Sequence, residues 1–213
     1  MTEAEWLACH DVCDMFEHVK PRASARKTRL LGCACVRRAW EWGLNETLPE
    51  AVHVVEAFAD GLATDADLRR VAGEMGILWR EHDEPYRPYP RTCELTEALA
   101  SPDNEHAWLD QINAFACDLN IADESEWLRL VEFVHDIFGS PFRPVAFSPS
   151  WRTGTTAALA RQMYDSRDFS AMPILADALQ DAGCDSADIL DHCSSTCQHV
   201  RGCWVVDLVL GRE

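Results

Sequence analysis

Apolar residues recur at helical spacing along most of the chain, and the punctuation between the runs is that of helix ends. Thr2 and Glu5 form a capping-box pattern ahead of Trp6 and Leu7. Ser24 precedes ARKTRLLGCACVRRAWEWGL, in which Leu30, Leu31, Cys35 and Trp42 fall on one helical stripe. Pro49 is placed to open PEAVHVVEAFAD, which stops at Gly61, and Thr64 with Asp67 starts a further helix to about His82. Residues 1–82 thus predict four helices. Three prolines in DEPYRPYPRT, residues 83–92, break every regular pattern and predict a linker.

Beyond the linker the pattern predicts helices near 93–100, from Asp103 to about Leu119, and from Asp123 with Glu126 to Gly139. SPFRPVAFSPSW cannot be helical, because Pro141, Pro144 and Pro149 interrupt it, while Phe142, Phe147 and Trp151 predict that it lies on the core. Helices near 153–165, 172–182 and 186–193 and a last one over about 199–210 complete the chain. With no βαβ alternation and no hairpin dipeptide, the expected class is all-α: a helical bundle of about nine to eleven helices in two packed subdomains, residues 1–85 and 86–213.

Composition narrows the setting. The 213 residues are 47% hydrophobic, which suits a packed globular chain, and no run of eighteen apolar residues could span a bilayer. The start, MTEAEWLACHDVCD, has acids where a secretory signal has a basic region, so a cytoplasmic protein is expected, with no membrane partner. Ten Cys in a chain able to build its own core read as reduced, mostly buried thiols, not as a disulfide framework. The formal net charge of −17 disfavours direct binding to nucleic acid. The charge is uneven as well. Residues 1–44 carry seven cations and six acids, whereas the remainder carries twelve cations and thirty acids. Arg22, Arg26, Lys27, Arg29, Arg37 and Arg38 therefore stand out as a candidate surface for a protein partner. The competing expectation is that they pair with acidic helices of the same molecule.

The candidate chemistry is concentrated at two places. Near the C-terminus, Cys184, His192, Cys193, Cys197, His199 and Cys203 crowd one segment. Zinc takes four N or S donors, commonly as two close pairs, and Cys193 with Cys197 followed by His199 with Cys203 could supply them. Buried thiols and a turn-capping His199 are the plainer reading, so no cofactor is expected, with zinc the one that the cluster leaves open. The second place is the doublet His135–Asp136 in EFVHDIFG. It looks like the metal-binding doublet of the all-helical HD-domain phosphohydrolases. That likeness implies His106, His135, Asp136 and Asp177 or Asp181 as holders of a divalent ion that activates water. The Gly-Lys that follows the doublet in those enzymes is replaced here by Phe138–Gly139.

Taken together, MTEAEWLAC, HDIFGSPFRPV and the terminal DAGC…HVRGCWVVDLVLG resemble a bacterial protein family to which no activity is assigned. The family's members end in DAGC, a His-Cys or His-Leu pair and HVRGCW-V-DL-LG. The resemblance implies a shared fold. At the position of Cys197 the family carries part of a Gly/Pro-rich turn, which leaves three recurring zinc donors at most.

The chain lacks G-x-S-x-G, H-E-x-x-H, Walker A, G-x-G-x-x-G and the deaminase zinc signatures. Arg143, between Pro141 and Pro144, is expected to fix its own loop, and Asp207 in WVVDLVLG to find an internal partner. The leading expectation of function is a protein–protein interaction or regulatory module, working as an accessory subunit. The alternatives are a metal-dependent, HD-like hydrolase or structural zinc-binding protein, and an acidic mimic of nucleic acid.

Overall fold

The computed structural model describes residues 1–39, 47–81, 95–100 and 124–212, and over these the protein is all-α, with no strand among the described residues. Its helices are α1 (Glu3–Leu7), α2 (Val12–Val19), α3 (Ala25–Ala39), α4 (Thr47–Ala59), α5 (Asp65–Glu81), α6 (Glu124–Phe138), α7 (Gly154–Ser166), α8 (Met172–Asp181), α9 (Ala187–Ser194) and α10 (Trp204–Leu210). Short 3-10 turns cover Lys20–Arg22 and Pro149–Trp151, and residues 95–99 are helical. None of the described helices is long and apolar enough to cross a membrane. The chain divides into two compact units, Ala8–Val131 and Met1–Leu7 with Glu132–Glu213. The expected linker at residues 83–92, the expected helix from Asp103 to Leu119 and His106 lie outside the described residues.

The local signals act as the sequence predicts. The Thr2 amide donates to Glu5 Oε2 at 2.7 Å and the Glu5 amide to Thr2 Oγ1 at 3.3 Å, closing the capping box of α1. Thr64 and Asp67 repeat the device at α5, with Asp67 Oδ2 accepting from the Thr64 amide at 2.9 Å. Asp11 caps α2 through the amides of Cys13 and Asp14. At the end of α4, Gly61 takes φ 72°, and the Leu62 amide reaches back to Ala57 O at 2.8 Å.

In the unit Ala8–Val131, α3 packs on α4 and α4 on α5. Leu30, Leu31, Val52, Val55, Leu68, Val71 and Met75 are buried there. Their three- and four-residue spacing is the apolar stripe of each helix turned inward. The polar face of α3 is buried in part as well. Arg37 forms a two-pronged pair with Glu56 at 2.6 and 3.1 Å, and Arg26 meets Asp60 at 3.0 Å. Arg29 is buried, donates to Leu99 O at 3.3 Å and stacks over the Phe58 ring.

In the other unit, α7 packs against α8 and α10, and α9 against α8 and α10. Met163, Tyr164, Leu175, Leu179, Ile189, Val205, Val206 and Val209 fill the space between them. The Pro-rich stretch before α7 lies on this core as expected: Phe147 and Trp151 pack against it and meet edge to face at 5.5 Å. Arg152 donates to Val209 O and Leu208 O at 2.8 and 2.9 Å, satisfying the open carbonyls at the end of α10. Arg143, expected to fix its own loop, pairs instead with Glu3 of α1 and, at 3.5 Å, with Asp188 of α9.

Two features depart from the pattern: the described part of residues 1–81 holds five α-helices where four are expected, since α1 and α2 are separate, and the last helix starts late. The last helix starts at Trp204 and not near His199, because residues 195–203 form a loop that turns at Gly202, φ 97°. The Val200 amide donates to a carboxylate from α6.

Candidate metal centre

That carboxylate is Asp136, buried in the last turn of α6 just before Gly139 ends the helix at φ 63°. An acid at a helix C-terminus sits against the negative end of the helix dipole, at a cost of about 0.3–1 kcal/mol. Three N–H donors offset it. Val200 N donates to Oδ2 at 2.8 Å, while His199 Nδ1 and His192 Nε2 approach Oδ1 at 2.7 and 3.1 Å. Burial opposes ionisation of this carboxyl, but the hydrogen bonds and charge interactions with His192 and His199 together outweigh it and hold the carboxyl below its usual range.

His192 closes α9 and His199 stands in the 195–203 loop, so the loop's departure from helix is what brings both rings to one acid. The rings meet edge to face, 4.9 Å apart. Cys203, buried at the foot of α10, lies with Sγ 3.2 Å from His192 Nε2. Burial first, and then the neighbouring Asp136, pushes its thiol well above the ordinary range. On its far side His192 Nδ1 accepts from Trp204 Nε1 at 3.1 Å. His199 is 5% exposed, and its Nε2 has no hydrogen-bond partner.

Asp136, His192, His199 and Cys203 thus each offer one ligand atom, all within 4.8 Å of one another. Donors around a tetrahedral zinc stand about 3.3–3.6 Å apart, from bond lengths near 2.0–2.3 Å. The contacts of 2.7, 3.1 and 3.2 Å and the 4.8 Å limit bracket that spacing. The mixed oxygen, nitrogen and sulfur set can hold a metal ion, and it suits zinc better than magnesium or calcium, which take oxygen ligands.

The site joins halves of two constellations that the sequence presents separately. Of the four zinc candidates, His199 and Cys203 are in it. Cys193 faces the apolar core, its thiol pushed up to about 12 by burial and then by Cys184 and Asp136, and Cys197 is exposed. Of the hydrolase candidates, Asp136 is in it. His135 packs edge to face with Trp6, ring centroids 5.2 Å apart, and its burial is the main cause that lowers its pKa. Asp177 and Asp181 are exposed on α8, outside the group. His192 is the member that pairing by Cys spacing overlooks. The signal that finds it is the series His192-x6-His199-x3-Cys203 read together with the acid of DIFG.

The cations singled out in the sequence are spent differently. Arg26, Arg29 and Arg37 make the contacts described above, Lys27 and Arg38 are half-buried and Arg22 is exposed. None of the six is without a partner in the chain.

Fold and site together define an all-helical protein with a buried Asp/His/His/Cys group able to hold a metal ion. Comparison with protein-family models, curated proteins and solved structures finds no match to the chain.

Proposed function

We propose that the protein is a zinc-holding accessory or regulatory module, the ion being held by Asp136, His192, His199 and Cys203. The observation that carries the reading is the convergence of four metal-competent side chains, their ligand atoms all within 4.8 Å of one another. All four positions of a tetrahedral ion would be taken by the protein's own side chains, which is the pattern of structural and regulatory zinc, whereas catalytic zinc keeps a position open. The donors come from α6, α9 and the 195–203 loop that runs into α10, so an ion here ties together three segments of one unit. All four also fall inside the DIFG and HVRGCW motifs, and the His-Cys pair, on which the family resemblance rests.

The test is native mass spectrometry of the full untagged chain, stripped with chelator and then exposed to zinc. The expected result is one zinc per chain, lost in Asp136→Ala and His199→Ala and retained in Cys197→Ala. A folded chain that takes up no zinc would overturn the reading.

A further inference from the structure

We infer that Trp204 is a positioning residue that governs loading of the centre, an inference that rests on the metal-holding reading above. The indole N–H can only donate. At 3.1 Å from His192 Nδ1 it requires that nitrogen to present its lone pair, so the ring proton of this tautomer sits on Nε2. Nε2 is the nitrogen that faces Asp136 Oδ1 and Cys203 Sγ, at 3.1 and 3.2 Å.

Ligation through Nε2 needs the opposite tautomer, with the lone pair on Nε2 and the proton on Nδ1. Metal-bound histidines meet this need by donating the second ring N–H to an acceptor. Here the proton leaves Nε2 for solvent and another arrives at Nδ1, with no change in the charge of the ring. Nδ1–H then confronts the indole N–H, two donors at hydrogen-bond distance, and one must withdraw. Ligation through Nε2 would fix His192, so the indole would be the group to withdraw.

Trp204 is half-buried and opens α10, and it lies against the turn that ends α6: a Cβ built on Gly139 would stand 3.2 Å from its ring. Gly139 holds φ 63°, a conformation glycine adopts freely, so the chain here leaves the indole as close a seat as backbone allows. Displacement of the ring therefore alters the junction of α6 with α10. Trp204 thus reports the loading of the centre.

The experiment records indole N–H resonances of the full 15N-labelled chain, stripped and then titrated with zinc, with stoichiometry followed in parallel by native mass spectrometry. The Trp204 signal is assigned through its contact with His192. It is expected to shift as one equivalent binds. The Trp151 signal, whose N–H donates to Gly183 O at 3.0 Å, is expected to stay. Trp204→Phe removes the competing donor and is expected to bind zinc roughly two- to tenfold more tightly, the worth of one net hydrogen bond. If one zinc binds and both the Trp204 signal and the affinity of Trp204→Phe are unchanged, the inference is overturned and the metal-holding reading stands. If neither chain takes up zinc, the metal-holding reading itself falls. Should Trp204→Phe fail to fold, the indole signal of the unsubstituted chain decides.

Discussion

The protein buries carboxylates in two different ways. Between α3 and α4, Glu56 and Asp60 each meet an arginine whose permanent charge balances their own. At the end of α6, Asp136 meets no arginine among its hydrogen-bond partners, but two imidazoles and a backbone amide, with a thiol alongside. In the first arrangement each acid is matched by a cation whose charge is permanent. In the second the partners include imidazoles and a thiol, side chains able to ligate a metal, and His199 Nε2 has no hydrogen-bond partner. A buried acid is therefore not itself a sign of function. The chemistry of what surrounds it, and what that chemistry leaves unused, separates a structural pair from a candidate centre.

The sharpest way to break this contrast is to remove each acid in turn. Asp136→Ala strands three donors in a buried place, two of them imidazoles, and is expected to lower stability by about 4 kcal/mol in urea unfolding. Glu56→Ala leaves Arg37, whose side chain is partly exposed and can reach water, and is expected to cost less, about 3 kcal/mol. Equal losses would mean that the two sites are of one kind. The next test adds zinc. At a thousandfold excess over its dissociation constant the ion is expected to stabilise the unsubstituted chain and Glu56→Ala alike by about 4 kcal/mol, and Asp136→Ala not at all. The same shift in Asp136→Ala, measured by thermal unfolding, would place the ion elsewhere.

A smaller effect separates the thiols. Cys35 and Cys193 are buried with their thiols pushed up to about 12, whereas Cys197 is exposed. The thiolate is the reactive form, so of these three Cys197 is expected to be alkylated first near neutral pH, with the other two protected until the chain unfolds. Peptide mapping after a short pulse of reagent reads the order. Zinc is expected to leave the labelling of Cys197 unchanged, since it is no ligand, and protection of Cys197 by zinc would contradict the donor set.

The fold was legible wherever the signal is local. Capping boxes at Thr2 and Thr64 and the glycine stop at Gly61 act within a few residues of chain, and the structure bears them out. The start of α10 was not legible, because the contact that holds the preceding loop, a carboxylate accepting from the Val200 amide, comes from 64 positions away. The site was legible in halves for the same reason. Sequence spacing groups neighbours, so Cys193 and Cys197 were drawn into one candidate set and Asp136 into another. Only packing turns Cys193 into the core, leaves Cys197 exposed and brings Asp136 to His199. The charge asymmetry of the first 44 residues was visible at once. That Arg26 and Arg37 direct much of it at Asp60 and Glu56 depends on how α3 and α4 pack.

The most direct test of the central claim is the visible absorption spectrum of the full chain loaded with cobalt(II) in place of zinc. The account predicts one cobalt per chain, with the intense ligand-field bands of a tetrahedral ion and a thiolate charge-transfer band that disappears in Cys203→Ser. A weak octahedral spectrum, or a charge-transfer band that survives in Cys203→Ser, would contradict it.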